Sequence, residues 1–319
     1  MRFNGVLTLR LVTRRTILGL ALIGLIIGMV LTLLTILARQ HWFCEIITHF
    51  RFQILGGLVG VSLLLLLIRR WKLLPLVLLL AVPHLIAIAP QIVPGPKVAA
   101  AGPSLRLISY NVLTSNETPQ EAVNWVLEQD ADLVLLLEIG FSWHGHLQPL
   151  DEHYPYKVSH PRGDNFGLAF YSKLPITEKT IDTKTHPFLY AKVDWQGRPL
   201  AIAGVHPIPP LGRTNARDRD NTFDKITRLA AVEEAPLIVA GDFNCTPWSP
   251  AFQPMLENLH DTSRGTGYSP TWRRFHPLYG IPIDHLLLSD SLVCLHREIG
   301  PRNGSDHSPI VAEIASQAQ

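Results

Sequence analysis

The sequence predicts an α/β domain carried behind about three membrane-spanning helices. Three features lead there. The chain before residue 104 is Leu-rich and nearly free of acid, a Pro/Gly/Ala segment follows, and the remainder alternates short apolar runs of strand length with capped amphipathic helical segments. A chain of 319 residues accommodates one large globular domain plus a membrane region. The formal net charge of +2 conceals an asymmetry: ten basic residues face one acid, Glu45, before residue 104, whereas eighteen face twenty-five acids after it.

Residues 1–93 read as the membrane region. Ile17 to Ala38 is 22 residues without a charge, Phe52 to Ile68 is 17, and Leu73 to Val93 is 21, the last broken by Pro75, Pro83 and Pro90. A cleavable signal peptide does not explain three apolar runs in succession. Arg10, Arg14 and Arg15, with Arg2 upstream, precede the first run, and Arg69, Arg70 and Lys72 lie between the second and third. Basic flanks stay cytoplasmic, and both clusters share a side only with three spans. The connection with the interfacial pair Trp42-Phe43 then faces outward, as does everything after the third span. His84, inside that span, is either a functional intramembrane group or one whose polar contacts Pro83 opens. Residues 94–103 complete a Pro/Gly/Ala linker that begins at Pro90. Cys44, Cys245 and Cys294 offer neither a disulfide framework nor zinc spacing and read as isolated thiols.

Residues 104–319 form the second domain. Leu105 to Tyr110 reads as a strand ending at Asn111. Thr118-Pro119-Gln120-Glu121 opens a helix to about Gln129 with a cap, a proline at the first position and an acid at the third. Leu133 to Leu137 is a buried strand ending at Glu138, and further strands fall near Gly167–Tyr171, Leu189–Trp195 and Leu200–Val205. A charged amphipathic helix spans Thr214 to Val232, and Pro236 to Ala240 is a strand that ends in Gly241-Asp242-Phe243-Asn244. Ser249-Pro250 predicts another helix start, and Ile283–Ser289 and Pro309–Ile314 are the last strands.

Polar residues sit repeatedly where these apolar strands stop: Asn111, Glu138, His206, Asp242 with Asn244, and Asp306 with His307; Asp284 lies at the start of its strand. Strand ends converging on one rim are how an α/β fold builds a site from distant positions. Each has a bland reading alone, Glu138 as a capping acid and Asp242-Phe243-Asn244 as a strand-to-loop turn.

Together the segments Ser109-Tyr110-Asn111-Val112, Leu137-Glu138, Gly204-Val205-His206, Gly241-Asp242-Phe243-Asn244, Ile283-Asp284-His285 and Gly304-Ser305-Asp306-His307-Ser308-Pro309 resemble the endonuclease/exonuclease/phosphatase superfamily. They occur in its order and cover nearly all of residues 104–319. The resemblance implies a four-layer α/β sandwich of the deoxyribonuclease type and a Mg²⁺ or Mn²⁺ cofactor. It implies Glu138, with Asn111 and Asp306, around the metal. It implies Asp242 orienting or deprotonating the attacking water, Asn244 on a phosphate oxygen, and His307 on the scissile phosphate, aligned by Asp284. His206 stands where deoxyribonuclease-like and sphingomyelinase-like members carry histidine and abasic-site endonucleases carry tyrosine. Phosphoester hydrolysis needs charge neutralised on oxygens and an in-line water, which such a set provides.

The spans, the Trp42-Phe43 connection, Asp164-Asn165-Phe166-Gly167 and Thr246-Pro247-Trp248-Ser249 are similar to the bacterial membrane-anchored branch of that superfamily, the teicoplanin-resistance membrane protein type. It implies a catalytic domain outside the cell membrane, and a weak substrate contact from Asn165, otherwise a turn residue. Trp248 and Trp272 are either pocket wall or core. Arg217, Arg219 and Arg228, interleaved with Asp218, Asp220 and Asp224, read as a solvated helix face rather than a phosphate grip. The expected partners are a phosphoester substrate and the lipid bilayer, with no obligate protein partner. Nucleic acid is disfavoured because an acidic domain repels a polyanion that binds through displaced counterions. Two alternatives stand beside hydrolysis of a lipid-linked or small phosphoester: an extracytoplasmic nuclease, and an inactive receptor for a phosphorylated ligand.

Overall fold

Described by a computed structural model, the protein is seen at residues 2–95, 98–184, 186–272 and 279–318, with side chains from residue 13 onward. It divides into two units, Met1–Pro90 and Gln91–Gln319. The first contains helices α1 (Arg2–Ile36), α2 (Trp42–Thr48), α3 (Arg51–Leu67) and most of α4 (Leu74–Ile92). Two segments, Thr13–Ile36 of 24 residues and Trp71–Ile92 of 22, are long and apolar enough to cross a membrane. The expected second span differs from them: α2 and α3 meet at a 65° bend and make a third span only if taken together. The connection read as a loop around Trp42-Phe43 is therefore helical, its start capped by His41 Nδ1 accepting the Phe43 N–H at 3.2 Å.

The prolines expected to break the third run do not. Pro83 and Pro90 lie inside a continuous α4 and Pro75 in its first turn, where its missing N–H costs nothing. Within the unit, Ala21 and Leu25 of α1, Leu58, Val61 and Leu65 of α3, and Val77 and Leu80 of α4 form an apolar core. Gly24 and Gly28 let α1 approach α3, since a Cβ there would lie 2.7 Å from Val61 and 2.8 Å from Leu58. His84 is fully buried, its Nε2 3.0 Å from Thr32 Oγ1 and its Nδ1 3.4 Å from an Arg51 guanidinium nitrogen. Because Arg51 only donates, Nδ1 accepts, so Nε2 carries the proton to Thr32, whose hydroxyl passes its own to Gly28 O at 2.7 Å. His84 thus ties three helices together. The side chains of Arg2 and Arg10 lie outside the described residues.

The linker is shorter than expected: α4 continues to Ile92 and the first strand begins at Ala100, while Pro96 and Lys97 lie outside the described residues. The second unit contains twelve described strands in two six-stranded sheets. The first sheet has β1 (Ala100–Asn111), β2 (Leu133–Leu137), β3 (Tyr156–His160), β4 (Leu168–Ser172), β11 (Leu292–Ile299) and β12 (Ile310–Gln317), in the order β11-β12-β1-β2-β4-β3. The second has β5 (Ile176–Asp182), β6 (Phe188–Trp195), β7 (Arg198–Val205), β8 (Leu237–Asp242), β9 (His260–Asp261) and β10 (Asp284–Leu288), in the order β5-β6-β7-β8-β10-β9. Each sheet has one parallel pair, β1 with β2 and β7 with β8, joined by α5 (Pro119–Glu128) and α7 (Arg213–Val232) respectively.

Strand alternation sorts side chains into layers. Leu133, Leu135 and Leu137 face the inter-sheet core with Leu189, Ile202, Ile238 and Ala240. Val134 and Leu136 face outward to Ala122 and Val126 of α5 and Leu150 of α6 (Gln148–His153). On the far side Leu237 and Val239 meet Phe223 and Ile226 of α7. Helix, sheet, sheet and helix make the expected four-layer sandwich. Three local expectations fail. Thr118 sits at the start of α5, but its hydroxyl makes no cap and donates to Asn116 Oδ1 at 3.4 Å. Ser249-Pro250 opens turns and a short 3₁₀ segment, Gln253–Glu257, not an α-helix. Arg219 is fully buried over the Phe223 ring, unlike exposed Arg217 and Arg228, so the charged face of α7 is not uniformly solvated.

Candidate active site

The ends of the parallel strands gather the polar residues. Asn111 closes β1, Glu138 follows β2, His206 follows β7, and Asp242 closes β8. β10 runs antiparallel to β8 with Asp284 opposite Asp242, which explains why this acid begins its strand. His307 precedes β12.

Asp242 is the hub. Its Oδ2 lies 3.2 Å from Asn111 Nδ2, 3.4 Å from His206 Nε2 and 3.6 Å from His307 Nε2. Its Oδ1 accepts the Asn244 N–H at 2.8 Å. His307 Nδ1 lies 2.8 Å from Asp284 Oδ2, the spacing of a charge-assisted hydrogen bond. Burial opposes charge on His307, but Asp284, Asp242 and Asp306 outweigh it and raise its pKa, so the ring is an imidazolium near neutrality. Burial likewise opposes the Asp242 carboxylate, and His307 and His206 outweigh it, holding the acid ionised.

Asn111 also donates to Glu138 Oε1 at 2.9 Å. Glu138 has a left-handed backbone, φ 63°, a strained conformation for a non-glycine residue. Thr114 holds it there, donating its N–H to Glu138 Oε2 and its hydroxyl to Glu138 O, both at 3.1 Å. Ser305 fastens the last segment to the first strand, its hydroxyl donating to Asn111 O at 2.8 Å and accepting the His307 N–H at 3.0 Å. Thr271 Oγ1 accepts the Asp284 N–H at 3.1 Å.

The eight main candidates do not all converge equally. Asn111, Glu138, His206, Asp242, Asp284 and His307 meet in one buried cluster. Asn244 borders it, with Nδ2 on Pro207 O at 3.0 Å. Asp306 instead accepts from Trp272 Nε1 at 3.0 Å; its field reaches His307, but among the described contacts it does not touch Glu138 or Asn111. Asn165 is exposed in the turn before β4, and its neighbour Phe166 is the residue that reaches the site, its ring 5.0 Å from that of His206. Trp248 is buried. Phe166 and Ser305 stood inside the matching segments without a role, and Thr114 escaped the sequence reading, its only signal being proximity to Asn111.

Hard oxygen donors suit Mg²⁺ or Mn²⁺. Glu138 with the Asn111 amide supplies few protein ligands, as such a cation tolerates while retaining waters. Asp242, Asp284 and His307 are also close enough together to share an ion. Within that group His307 Nδ1 and Asp284 Oδ2 already pair at 2.8 Å, whereas His307 Nε2 and Asp242 Oδ2 stand 3.6 Å apart.

The family model for the endonuclease/exonuclease/phosphatase family matches residues 108–307. No curated protein sequence matches the chain. Among solved structures, it is similar to a humanized D. rerio TDP2 carrying 14 mutations, at 18% identity and TM-score 0.57, covering 66% of this chain and 98% of that one. It is similar to the human Nocturnin catalytic domain with bound sulfate anion, at 16% identity and TM-score 0.56, covering 69% and 97%. It is also similar to an endonuclease/exonuclease/phosphatase from Beutenbergia cavernae DSM 12333, at 16% identity and TM-score 0.56, covering 67% and 72%. These likenesses concern the fold. With the family model matching residues 108–307, more than half of the chain and most of the sandwich, the chain belongs to the endonuclease/exonuclease/phosphatase family of metal-dependent phosphoester hydrolases.

Proposed function

We propose that the protein is a membrane-tethered, Mg²⁺- or Mn²⁺-dependent hydrolase that acts outside the cytoplasm on a lipid-linked or small phosphoester or pyrophosphate. The observation that supports the chemistry is the convergence on Asp242 Oδ2 of the Asn111 amide, hydrogen-bonded at 3.2 Å, and of the His206 and His307 rings, at 3.4 and 3.6 Å. The ionised Asp242 carboxylate is suited to orienting a water and taking its proton. His307, charged and fixed by Asp284, presents Nε2–H to a phosphate oxygen, and His206 and Asn244 supply further donors. Glu138 and Asn111 would hold the cation, which when bound neutralises developing charge on phosphate oxygens. Asp306 acts in this scheme through the field it places on His307.

The apolar helices, with basic residues at the ends assigned to the cytoplasm, and the acidic second unit support a membrane-proximal, low-molecular-weight or lipid substrate. A nuclease is the second reading, favoured by the similarity to a D. rerio TDP2 solved with a single-strand DNA product. Purified full-length protein assayed with Mg²⁺, Mn²⁺ and chelator on lipid phosphates, polyprenyl pyrophosphates and plasmid DNA tests both. Lipid or small phosphoester turnover is expected. Asp242→Asn and His307→Gln should each lower kcat about 10²–10⁴-fold. Glu138→Gln should raise the metal concentration needed for half-activity. Rapid DNA cleavage with no action on the lipid phosphates would overturn the substrate assignment.

A further inference from the structure

Asp284 has a neighbour on β10 that points the other way. His285 is 1% exposed and enters the aromatic cluster behind the second sheet, its ring centroid 5.3 Å from that of Phe243 and 4.6 Å from that of Phe252. An imidazole among aromatic rings gives up its hydration, which only specific hydrogen bonds repay. His285 Nε2 lies 2.8 Å from Cys245 O, and since a carbonyl only accepts, Nε2 carries the hydrogen. Behind the ring, Asp261 Oδ2 lies 3.5 Å from Nδ1. Asp261 is itself fixed by the Ser263 N–H at 2.9 Å and the Ser263 hydroxyl at 2.7 Å.

Cys245 ends the turn that carries two site residues. Phe243 N–H bonds Ile283 O at 2.8 Å, Asn244 N–H bonds Asp242 Oδ1 at 2.8 Å, and Asn244 takes a left-handed φ of 49°. The contact from His285 to Cys245 fastens the far end of this turn to the strand that bears Asp284. Asp242 and the acid that aligns His307 are thereby tied to one rigid element.

We propose that His285 is a positioning residue for hydrolysis: through Cys245 O it sets the pose of Asp242 and Asn244 relative to Asp284 and His307. This rests on the hydrolase reading above. The test uses full-length protein with Mn²⁺ and bis(p-nitrophenyl) phosphate as probe. His285→Phe fills the aromatic site without the donor and should lower kcat about 10- to 100-fold with KM nearly unchanged. His285→Gln, which keeps an N–H at similar reach, should recover most of that loss. A lowered Tm with wild-type kcat in His285→Phe would mark a purely structural residue and overturn the proposal. A second arm needs no turnover: hydrogen exchange should accelerate in residues 243–245 of His285→Phe while β8 and β10 keep their protection. If the wild type hydrolyses nothing, the hydrolase reading fails and exchange alone decides, unchanged exchange overturning the positioning role. Should His285→Phe not fold, His285→Leu replaces it in both arms.

Discussion

At the scale of single residues, His307 binds its proton more tightly in the fold than in the unfolded chain, because Asp284, Asp242 and Asp306 surround it. Its pKa rises from 6.5 to about 10. The stabilisation from this raised group is fully present below pH 6.5 and is lost as pH climbs through about 10. Denaturant unfolding in chelator should therefore show stability falling across that window, by up to about 1.4 kcal/mol per pH unit, and His307→Gln should flatten the fall. Asp242 carries the opposite sign: its lowered pKa adds stability above 3.8 that disappears as pH falls towards 2. The candidate site was legible to the extent that strand-end polar residues stand out against apolar runs, as at Glu138 after Leu133–Leu137. The roles of Thr114, Ser305 and Phe166 were not, since each reaches the site by a turn whose direction no periodicity encodes. The orientation of Asp306 towards Trp272 was equally hidden, being set by a residue 34 positions away.

At the scale of elements, the glycine that precedes Asp242 is dictated by the parallel pairing of β7 and β8. Gly241 has φ 147°, and a Cβ there would lie 1.9 Å from Val205 O, a backbone atom that cannot rotate away. Gly241→Ala should cost about 1–3 kcal/mol for the backbone conformation, with the clash added. A thermal melt of the variant checks this, and little change in Tm would show that β7 and β8 can spread. Strands buried on both faces, β2, β4, β8 and β10, were legible as continuous apolar runs. The strands β3 and β5 were not: one is an edge whose burial is confined to Val158 and His160, the other an edge mostly open to solvent. β11 escaped for the same reason, with Leu292 its one buried residue, and β9 is only two residues long. Edge strands pack one face or none, which leaves no run to read. The helix expected at Ser249-Pro250 failed although Phe252, Met255 and Leu259 follow as a buried apolar set, because Pro254 lacks the N–H that an α-helix would donate to the carbonyl of residue 250.

At the scale of the whole molecule, the two units have separate apolar cores. Residues 98–319 expressed alone should therefore fold cooperatively and retain metal-dependent turnover, checked by calorimetry and the same assay. A C-terminal alkaline phosphatase fusion to the full chain should be active and a C-terminal green fluorescent protein fusion dark, as required if the second unit lies outside; the reverse would place it in the cytoplasm. The charge imbalance between the units and the long uncharged runs were plain in sequence, whereas the bend between α2 and α3 arose from a turn at His49 and Phe50 that composition conceals. Within the second unit, Asn111, Glu138 and His307 lie at or beside strand ends of one sheet and His206, Asp242 and Asp284 at or beside those of the other, joined across the seam by Asn111 to Asp242 and His307 to Asp284. The candidate site is thus split like the halves of a clasp, kept in register by those two bonds and by the oily seam behind them. A sub-ångström slide between the sheets would part the clasp while leaving every strand intact, so warming should extinguish turnover several degrees before circular dichroism registers melting.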